Sequence, residues 1–255
     1  MTTTTILELG APETAKGVTT RHLWVAGHEG RRVPGVVLTP EAATGPRPLI
    51  ALGHGAGGSK DDEQMRQIAR WFVRRESWGV AIIDGPVHGE RAGDGDAGTV
   101  ARQELGRRET YDAMAIDWQR TLDACAELPD VGIEAAAYLG FSMGTMLGIA
   151  TVAAEPRFRC AVLAIGGVLD GASALGEVAK GIDRPVLMIN QAEDEIFSRT
   201  SAFRLYDALS GPKRVFFYPG GHTGVPREAM ERAREFLHAQ LAGDEVAGDT
   251  PRGTW

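Results

Sequence analysis

The sequence has only two cysteines, no long apolar run and no basic region, and each absence removes a class of protein. Cys125 and Cys160 lie neither at a metal-ligand spacing nor in a redox motif, so we expect two small buried side chains. No apolar stretch approaches the roughly 20 residues that a membrane-spanning helix needs. The N-terminal Met-Thr-Thr-Thr-Thr lacks the basic and apolar regions of a secretory signal. We therefore expect a cytoplasmic protein with no membrane partner.

The charge balance argues against a nucleic-acid partner. The 255 residues carry a formal net charge of −7, and the arginines are interspersed with acidic residues rather than gathered into a stripe that could neutralise phosphates. Hydrophobic residues make up 43% of the chain and charged residues 24%, close to the composition of ordinary soluble domains. The composition therefore favours a globular protein over a disordered, fibrous or membrane protein.

Short apolar runs alternate with helix-patterned segments from about residue 48 onward, a pattern typical of a parallel sheet covered by helices on both faces. The pattern predicts strands at 21–28, 31–38, 48–53, 79–84, 135–140, 159–165, 185–190 and 214–218, and helices at 61–77, 100–128, 143–154, 198–210 and 226–241. The first two strands are predicted to form an antiparallel hairpin through Gly30, giving eight strands in all. We expect one α/β domain over 18–242, with flexible tails at 1–17 and 243–255.

The strongest motif is the G-x-S-x-G run from Gly140 to Gly144, which lies between a predicted strand and a predicted helix. A serine on a tight strand-to-helix turn has strained backbone angles, and crowding two residues before and after it favours residues without a Cβ atom. The following helix directs its N–H groups and its positive dipole end toward the place where a tetrahedral intermediate carries negative charge. The run therefore predicts Ser142 as a nucleophile, although an ordinary turn built from small residues would look the same.

A glycine-rich loop, Gly53–Ser59, follows the first predicted parallel strand. In this loop serine precedes lysine, whereas a phosphate-binding loop needs lysine before serine or threonine, so we do not expect nucleotide binding. A loop of this composition brings a backbone N–H close to a developing oxyanion, and we expect Ala56 and Met143 to supply two such donors. His54 is expected to brace the loop by hydrogen bonds rather than to act as the catalytic base.

A nucleophilic serine needs a base, and the chain beyond Ser142 offers two histidines. His222 comes just after the predicted strand 214–218, at the carboxyl end of a parallel strand, where α/β proteins place their ligand sites. His238 lies in a predicted helix near the C-terminus. The position after a strand indicates His222 as the base.

The base in turn needs an orienting acid. Asp194 follows the predicted strand 185–190, again at a carboxyl end. Glu193 and Glu195 flank it, Asp170 follows another predicted strand, and a solvated acidic turn would have the same composition. We expect Asp194 to complete a triad with the serine and the histidine, with Asp170 as the alternative.

Further side chains near the same edge are candidates for a substrate pocket. We expect a long loop over Gly85–Gly98 to form one wall. The candidate pocket residues are His54, Gly55, His88, Arg91, Phe141 and Ile196. A metal site of His88, Glu90 and Asp94 would have no recognised ligand spacing, so we expect neither a metal nor any other cofactor.

From about residue 20 to 241 the order of these motifs resembles the α/β-hydrolase superfamily. The matching elements are His54-Gly55, Asp84 at the end of its strand, Gly140–Gly144, Asp194 and Gly221-His222. Within the superfamily the chain is similar to the dienelactone-hydrolase-like and serine-aminopeptidase-like esterases, through Gly53–Ser59 and Pro86–Gly89. A serine nucleophile departs from true dienelactone hydrolases, which use cysteine, and from dehalogenases and epoxide hydrolases, which use aspartate. The link Gly166–Arg184 is too short for a large helical cap, which implies an open or modestly lidded pocket unless Gly85–Glu109 folds over it.

The resemblance implies a serine hydrolase of the carboxylesterase type that cleaves a small-molecule ester through an acyl-enzyme. A thioesterase, a lactonase and a carbon–carbon bond hydrolase use the same triad, so these alternatives stay open. A hydrolase-fold binding protein without turnover is the alternative from another class. We expect a monomer or a homodimer.

Overall fold

The computed structural model of the protein describes residues 6–93, 107–169 and 173–242. Ten strands form one sheet within these residues: β1 (Ile6–Leu9), β2 (Glu13–Ala15), β3 (Val18–Ala26), β4 (Arg32–Pro40), β5 (Arg47–Gly53), β6 (Gly79–Ile83), β7 (Val131–Phe141), β8 (Phe158–Ala164), β9 (Val186–Gln191) and β10 (Lys213–Tyr218). Their order is β1-β3-β4-β6-β5-β7-β8-β9-β10, with β2 paired to β3. Pairs from β1 to β6 along this order are antiparallel, and pairs from β6 to β10 are parallel.

Helices cover both faces of the sheet. They are α1 (Glu63–Glu76), α2 (Arg108–Cys125), α3 (Met143–Ala154), α4 (Ser173–Ala179), α5 (Arg199–Ala208) and α6 (Arg227–Ala242), with 3₁₀ turns at His28–Gly30 and Gly89–Arg91. The apolar sides of α1 and α6 pack into one core cluster, and those of α2 to α5 pack into a second cluster on the opposite face. The sheet is therefore buried between two helical layers.

The central strands contribute side chains to both cores. In β5, Leu49 and Ala51 belong to the core under α2 to α5, whereas Ile50 and Leu52 belong to the core under α1 and α6. A strand covered on both faces has no polar side, which explains why it can be recognised as a continuous apolar run. Because β5, β7, β9 and β10 run parallel, the loops that follow them meet at one edge of the sheet.

The predicted fold class is confirmed, but the sheet has ten strands rather than eight. β3 and β4 form the predicted antiparallel hairpin. The additional strands β1 and β2 lie within residues 1–17, which were expected to be a flexible tail. Their side chains are exposed or half-buried, and among the described strands both pair only with β3. Without a buried face, neither strand has the apolar alternation that predicts a strand.

The connecting segments also differ from the prediction in detail. The link from Gly166 to Arg184 contains the unpredicted helix α4, whose Leu175 and Ala179 are buried in the core. The predicted helix 100–128 is represented by α2. Much of the predicted loop and lid segment and the predicted C-terminal tail lie outside the described residues. Among the helices that are described, none is both long and apolar enough to cross a membrane.

Candidate active site

Ser142 occupies a sharp turn between β7, which ends at Phe141, and α3, which begins at Met143. Its backbone angles are φ 52° and ψ −111°, a conformation that residues with a side chain rarely adopt. The turn is fixed by a hydrogen bond in which the Ser142 N–H donates to the carbonyl oxygen of Ala164 at 3.0 Å. The strain is thus maintained by the neighbouring strand β8.

The two glycines of the motif are required by close packing. A Cβ atom on Gly140 would lie 2.6 Å from the carbonyl oxygen of Gly144. A Cβ atom on Gly144 would lie 2.9 Å from the carbonyl oxygen of His54, and closer still to the backbone of Gly53. The start of α3 therefore packs directly against the end of β5, which brings the turn next to the glycine-rich loop.

The Tyr138 ring lies beside Gly140, where an added Cβ atom would be 2.8 Å from it. Its hydroxyl donates to the Gly144 carbonyl oxygen at 2.7 Å, and a Cβ atom on Gly148 would collide with its ring. Complete burial raises the pKa of Tyr138, so that the phenol remains a protonated donor. The Thr145 hydroxyl donates to the Gly140 carbonyl oxygen at 2.9 Å. Two buried side chains thus hold the backbone of the turn.

Three predicted site residues meet in one hydrogen-bonded chain. Ser142 Oγ lies 2.9 Å from His222 Nε2, and His222 Nδ1 lies 2.9 Å from Asp194 Oδ2. The other carboxylate oxygen, Asp194 Oδ1, accepts from the N–H groups of Ile196 and Phe197 at 2.8 Å each. An ionised carboxylate can only accept, so the proton on the imidazole belongs on Nδ1 and leaves Nε2 free to accept from the serine hydroxyl.

The acidic residues beside Asp194 bind the backbone of the loop that carries the histidine. Glu193 Oε2 accepts from the Gly220 N–H at 2.6 Å, and Glu195 Oε2 accepts from the His222 N–H at 2.9 Å. This backbone N–H lowers the pKa of the Glu195 carboxyl. Of the acids considered from the sequence, Asp194 is the one at the imidazole, and the other alternative, Asp170, lies outside the described residues.

The glycine-rich loop faces the serine. Gly55 and Ala56 line the same cavity as Ser142, and an added Cβ atom on Gly55 would lie 3.8 Å from the serine Cβ. Met143 is the first residue of α3, so its N–H has no partner within the helix. Two backbone N–H groups, those of Ala56 and Met143, are thus present on the two segments that border the nucleophile.

His54 lies in the core behind this loop and does not line the cavity. Its Nε2 accepts from the Gly85 N–H at 2.9 Å, so Nδ1 carries the proton and donates to the Gly55 carbonyl oxygen at 2.8 Å. Burial lowers the pKa of His54, which favours the neutral ring that this pattern requires. The side chain braces the loop after β5 against the loop after β6.

Three further pocket candidates also do not line the cavity. His88 is buried with its Nδ1 donating to the Pro86 carbonyl oxygen at 2.7 Å. Arg91 Nη1 lies 2.9 Å from Asp117 Oδ2 in an ion pair. The Asp117 side chain is fully buried, and a buried carboxylate needs a positive partner. Ile196 is 51% exposed to solvent. Sequence position near the right edge was not enough to place these side chains in the pocket.

The cavity beside the serine has a volume of about 330 Å³. Ser142, His222 and the pocket candidate Phe141 line this cavity. Sequence analysis missed most of the wall, which includes Met65 and Ile68 of α1, Ile165 at the end of β8, and Met230 of α6. Of these wall residues, Ile165 is the one whose place in the cavity could have been expected from the sequence, because it stands at the carboxyl end of a predicted parallel strand. Within the described residues no group of three or more His, Cys, Asp or Glu could hold a metal ion, and Asp94 lies outside them.

Comparison with solved structures places the chain in a known superfamily. A cold-adapted esterase from an Arctic intertidal metagenomic library is 32% identical, over 91% of this chain and 98% of that chain, with a TM-score of 0.79. Acetyl xylan esterases from Paenibacillus sp. R4 and Thermoanaerobacterium sp. JW/SL YS485 share the fold at 19% and 18% identity, over 92% and 90% of this chain and 88% and 86% of theirs, with TM-scores of 0.72 and 0.68. No protein-family model and no curated protein matches the sequence. The extent and identity of the first match show that the chain belongs to the α/β-hydrolase superfamily.

Proposed function

We propose that the protein is a serine hydrolase that cleaves a carboxylic ester through an acyl-enzyme. The observation that carries the proposal is the continuous hydrogen-bonded chain from Ser142 through His222 to Asp194, with 2.9 Å at each step. Such a chain supplies the nucleophile, its base and the group that orients the base. The esterase that is 32% identical over nearly the whole chain favours an ester among the bonds that a triad can cleave.

In the acylation step, Ser142 Oγ attacks the ester carbonyl carbon while His222 Nε2 takes the hydroxyl proton. The carbonyl oxygen becomes an oxyanion that accepts hydrogen bonds from the backbone N–H groups of Ala56 and Met143, with the positive end of the α3 dipole behind it. Asp194 stabilises the imidazolium that forms. The C–O bond then breaks, and the imidazolium gives its proton to the departing alcohol.

Deacylation repeats these roles with water. His222 removes a proton from a water molecule, whose oxygen attacks the acyl carbon, and the same two N–H groups receive the second oxyanion. When this intermediate collapses, the proton returns to Ser142 Oγ and the carboxylic acid leaves. The net reaction consumes one ester and one water and yields one acid and one alcohol.

The proposal is tested by comparing wild type with Ser142→Ala and a matched control, Ser210→Ala, whose exposed serine lies beyond α5. The substrates are p-nitrophenyl esters from acetate to decanoate and a set of acyl thioesters. We expect Ser142→Ala to lose at least about 10³-fold in kcat and Ser210→Ala to match wild type. Turnover near the wild-type rate in Ser142→Ala would overturn the assignment.

A fluorophosphonate probe separates an enzyme from a binding protein that has the same fold, because labelling requires an activated serine. We expect wild type and Ser210→Ala to be labelled and Ser142→Ala to remain unlabelled. Labelling without turnover of any p-nitrophenyl ester would favour a thioester, lactone or carbon–carbon substrate. Absence of both labelling and turnover would favour the binding protein.

A further inference from the structure

Lys60 is a buried cation that the proposed mechanism does not use. It directly follows the glycine-rich loop Gly53–Ser59, and its side chain is 1% exposed to solvent. Its Nζ lies 2.7 Å from Asp61 Oδ2, 2.7 Å from Glu90 Oε1 and 3.5 Å from Asp84 Oδ2. Burial alone would lower the pKa of Lys60, but the hydrogen bonds to Asp61 and Glu90 raise it above its ordinary value. One charged ammonium group is thus surrounded by three carboxylates.

The main chain at Lys60 is held by the same cluster. Asp84 comes directly after β6, and its side chain is fully buried. Its Oδ1 accepts from the Lys60 N–H at 2.8 Å, and its Oδ2 accepts from the Glu90 N–H at 2.9 Å. Glu90 Oε2 in turn accepts from Trp24 Nε1 at 2.9 Å. The end of the glycine-rich loop is therefore bound, through both side chain and backbone, to the loop that follows β6.

The segment between two fixed points carries one of the two proposed oxyanion donors. The start of the loop is held by His54, whose ring donates to the Gly55 carbonyl oxygen, and its end is held at Lys60. Ala56 lies between these points and is exposed, in a turn closed by the Gly58 N–H and the Gly55 carbonyl oxygen at 3.1 Å. A glycine-rich segment has many accessible conformations. The direction of the Ala56 N–H therefore depends on how firmly the two ends are held.

We propose that Lys60 is a positioning residue, which directs the Ala56 N–H at the oxyanion by fixing the end of its loop to the loop after β6. The inference rests on the proposed function. A buried ion cluster commonly stabilises a fold no more than apolar side chains of the same volume, so stability alone gives little reason for this one. Three carboxylates outnumber the one ammonium group, so the cluster has no excess positive charge with which to stabilise an oxyanion directly. What the cluster supplies is one fixed arrangement of the loop.

Removing the ammonium group should weaken binding of the transition state rather than of the substrate. A donor to the oxyanion acts mainly after the carbonyl carbon has been attacked, and deleting one such donor lowers kcat by about 10²–10³-fold. Lys60→Met keeps most of the length of the side chain and loosens the donor without deleting it. We expect kcat to fall by roughly 10–100-fold and KM to change by less than about threefold. Acylation and deacylation both need the donor, so the loss appears whichever step limits turnover.

Arg157→Met is the matched control, because it also removes a cation from a buried carboxylate. Arg157 lies 2.7 Å from Glu155, whose side chain is 3% exposed. Both residues precede β8, at the opposite edge of the sheet from Lys60. Each variant should unfold at a lower temperature than wild type. At an assay temperature well below both transitions, only Lys60→Met should have a lower kcat for the best p-nitrophenyl ester.

A trifluoromethyl ketone measures the oxyanion donors without turnover. Ser142 Oγ adds to the carbonyl carbon of n-hexyl trifluoromethyl ketone, its proton passes to His222 Nε2, and the carbonyl oxygen becomes an oxyanion beside the two N–H groups. The inhibition constant should rise in Lys60→Met by the factor by which kcat/KM falls, and it should stay unchanged in Arg157→Met. A lysine with a purely structural role would leave both inhibition constants at the wild-type value.

A second variant covers the case in which Lys60→Met does not fold. Glu90→Ala removes one of the carboxylates at the Lys60 Nζ, and the Glu90 side chain is 45% exposed, so little packing is lost. We expect kcat to fall by at least about threefold with the KM kept, and the inhibition constant of the ketone to rise by the same factor. In a folded double variant the loss should be smaller than the product of the two single losses, because both changes act on one contact.

Three results would each overturn the inference: a kcat within about threefold of wild type in folded Lys60→Met, an equal loss of kcat in Arg157→Met, or a lower kcat with an unchanged inhibition constant for the ketone. If Lys60→Met does not fold, wild-type kcat in Glu90→Ala would overturn it as well. In all these cases wild type would still hydrolyse esters through Ser142, so the proposed function would stand. Absence of serine-dependent hydrolysis and of probe labelling in the wild-type protein would overturn both.

Discussion

Replacing Asp194 with asparagine should disable the base without disturbing the fold. The Asp194 side chain is fully buried, and its Oδ1 accepts from the N–H groups of Ile196 and Phe197. In Asp194→Asn the amide oxygen must keep this position, because an NH₂ group cannot face two N–H donors. The NH₂ group then points at His222 Nδ1, which must accept. The ring proton moves to Nε2, and the imidazole can no longer accept a proton from Ser142.

The expected loss is roughly 10⁴-fold in kcat, or about 5.5 kcal/mol of transition-state stabilisation, the scale of the same exchange in a serine protease triad. The assay is kcat for the best p-nitrophenyl ester between pH 6 and 9. The shape of the side chain and both backbone hydrogen bonds are kept, so thermal unfolding should change little. Asp183→Asn, at a position that is 83% exposed, is the matched control and should retain full activity.

A kcat for Asp194→Asn within tenfold of wild type, with Ser142→Ala inactive, would show that another acid orients the imidazole. Asp170 would then be the next candidate.

Asp194→Ala should differ from the asparagine variant in one respect. It removes the acceptor for the Ile196 and Phe197 N–H groups as well, so we expect a free energy of unfolding lower by about 1–3 kcal/mol in addition to the loss of activity.

Two further predictions concern the support of the site. Gly144→Ala should lower the free energy of unfolding by about 1–3 kcal/mol and reduce activity, because the new methyl group would collide with the backbone of Gly53 and His54. A free energy of unfolding in urea equal to that of wild type would contradict this packing argument. Burial lowers the pKa of His54 below its ordinary value of 6.5, so between the two pKa values the unfolded chain binds a proton that the folded chain does not. Stability should therefore decrease as the pH falls below 6.5, and His54→Gln should make the decrease smaller; equal pH dependence in the two proteins would refute the assignment.

The parts of the fold that could be predicted are those in which burial leaves a pattern. The buried parts of β5 to β9 are apolar because helices cover both of their faces. The hairpin β3–β4 follows from two short apolar runs on either side of Gly30. β1 and β2 could not be predicted, since their side chains face solvent and their pairing depends on backbone bonds to β3. α4 was missed because a helix of seven residues is too short to establish a period.

For the site, the sequence indicated the residues whose role depends on their position in the chain. Ser142, Asp194 and His222 each follow a parallel strand, and parallel strands end at one edge, so their proximity could be expected. The cavity wall could not be predicted in this way. Met65 and Met230 lie far apart in the chain and meet only through tertiary packing, and an apolar helix residue has the same pattern whether it faces a core or a cavity.

Three consecutive acidic residues, Glu193 to Glu195, bind the loop that carries the catalytic histidine. Glu193, Asp194 and Glu195 bind the Gly220 N–H, the imidazole and the His222 N–H respectively, so the loop after β9 and the loop after β10 act as one unit. In the part of the chain that the structure describes, β10 is the last strand of the sheet and pairs only with β9, so this unit sits at an edge where local opening costs less than global unfolding. Heating should then detach the base from the nucleophile while most of the sheet is still folded, and the temperature at which activity disappears should lie below the temperature at which the protein unfolds.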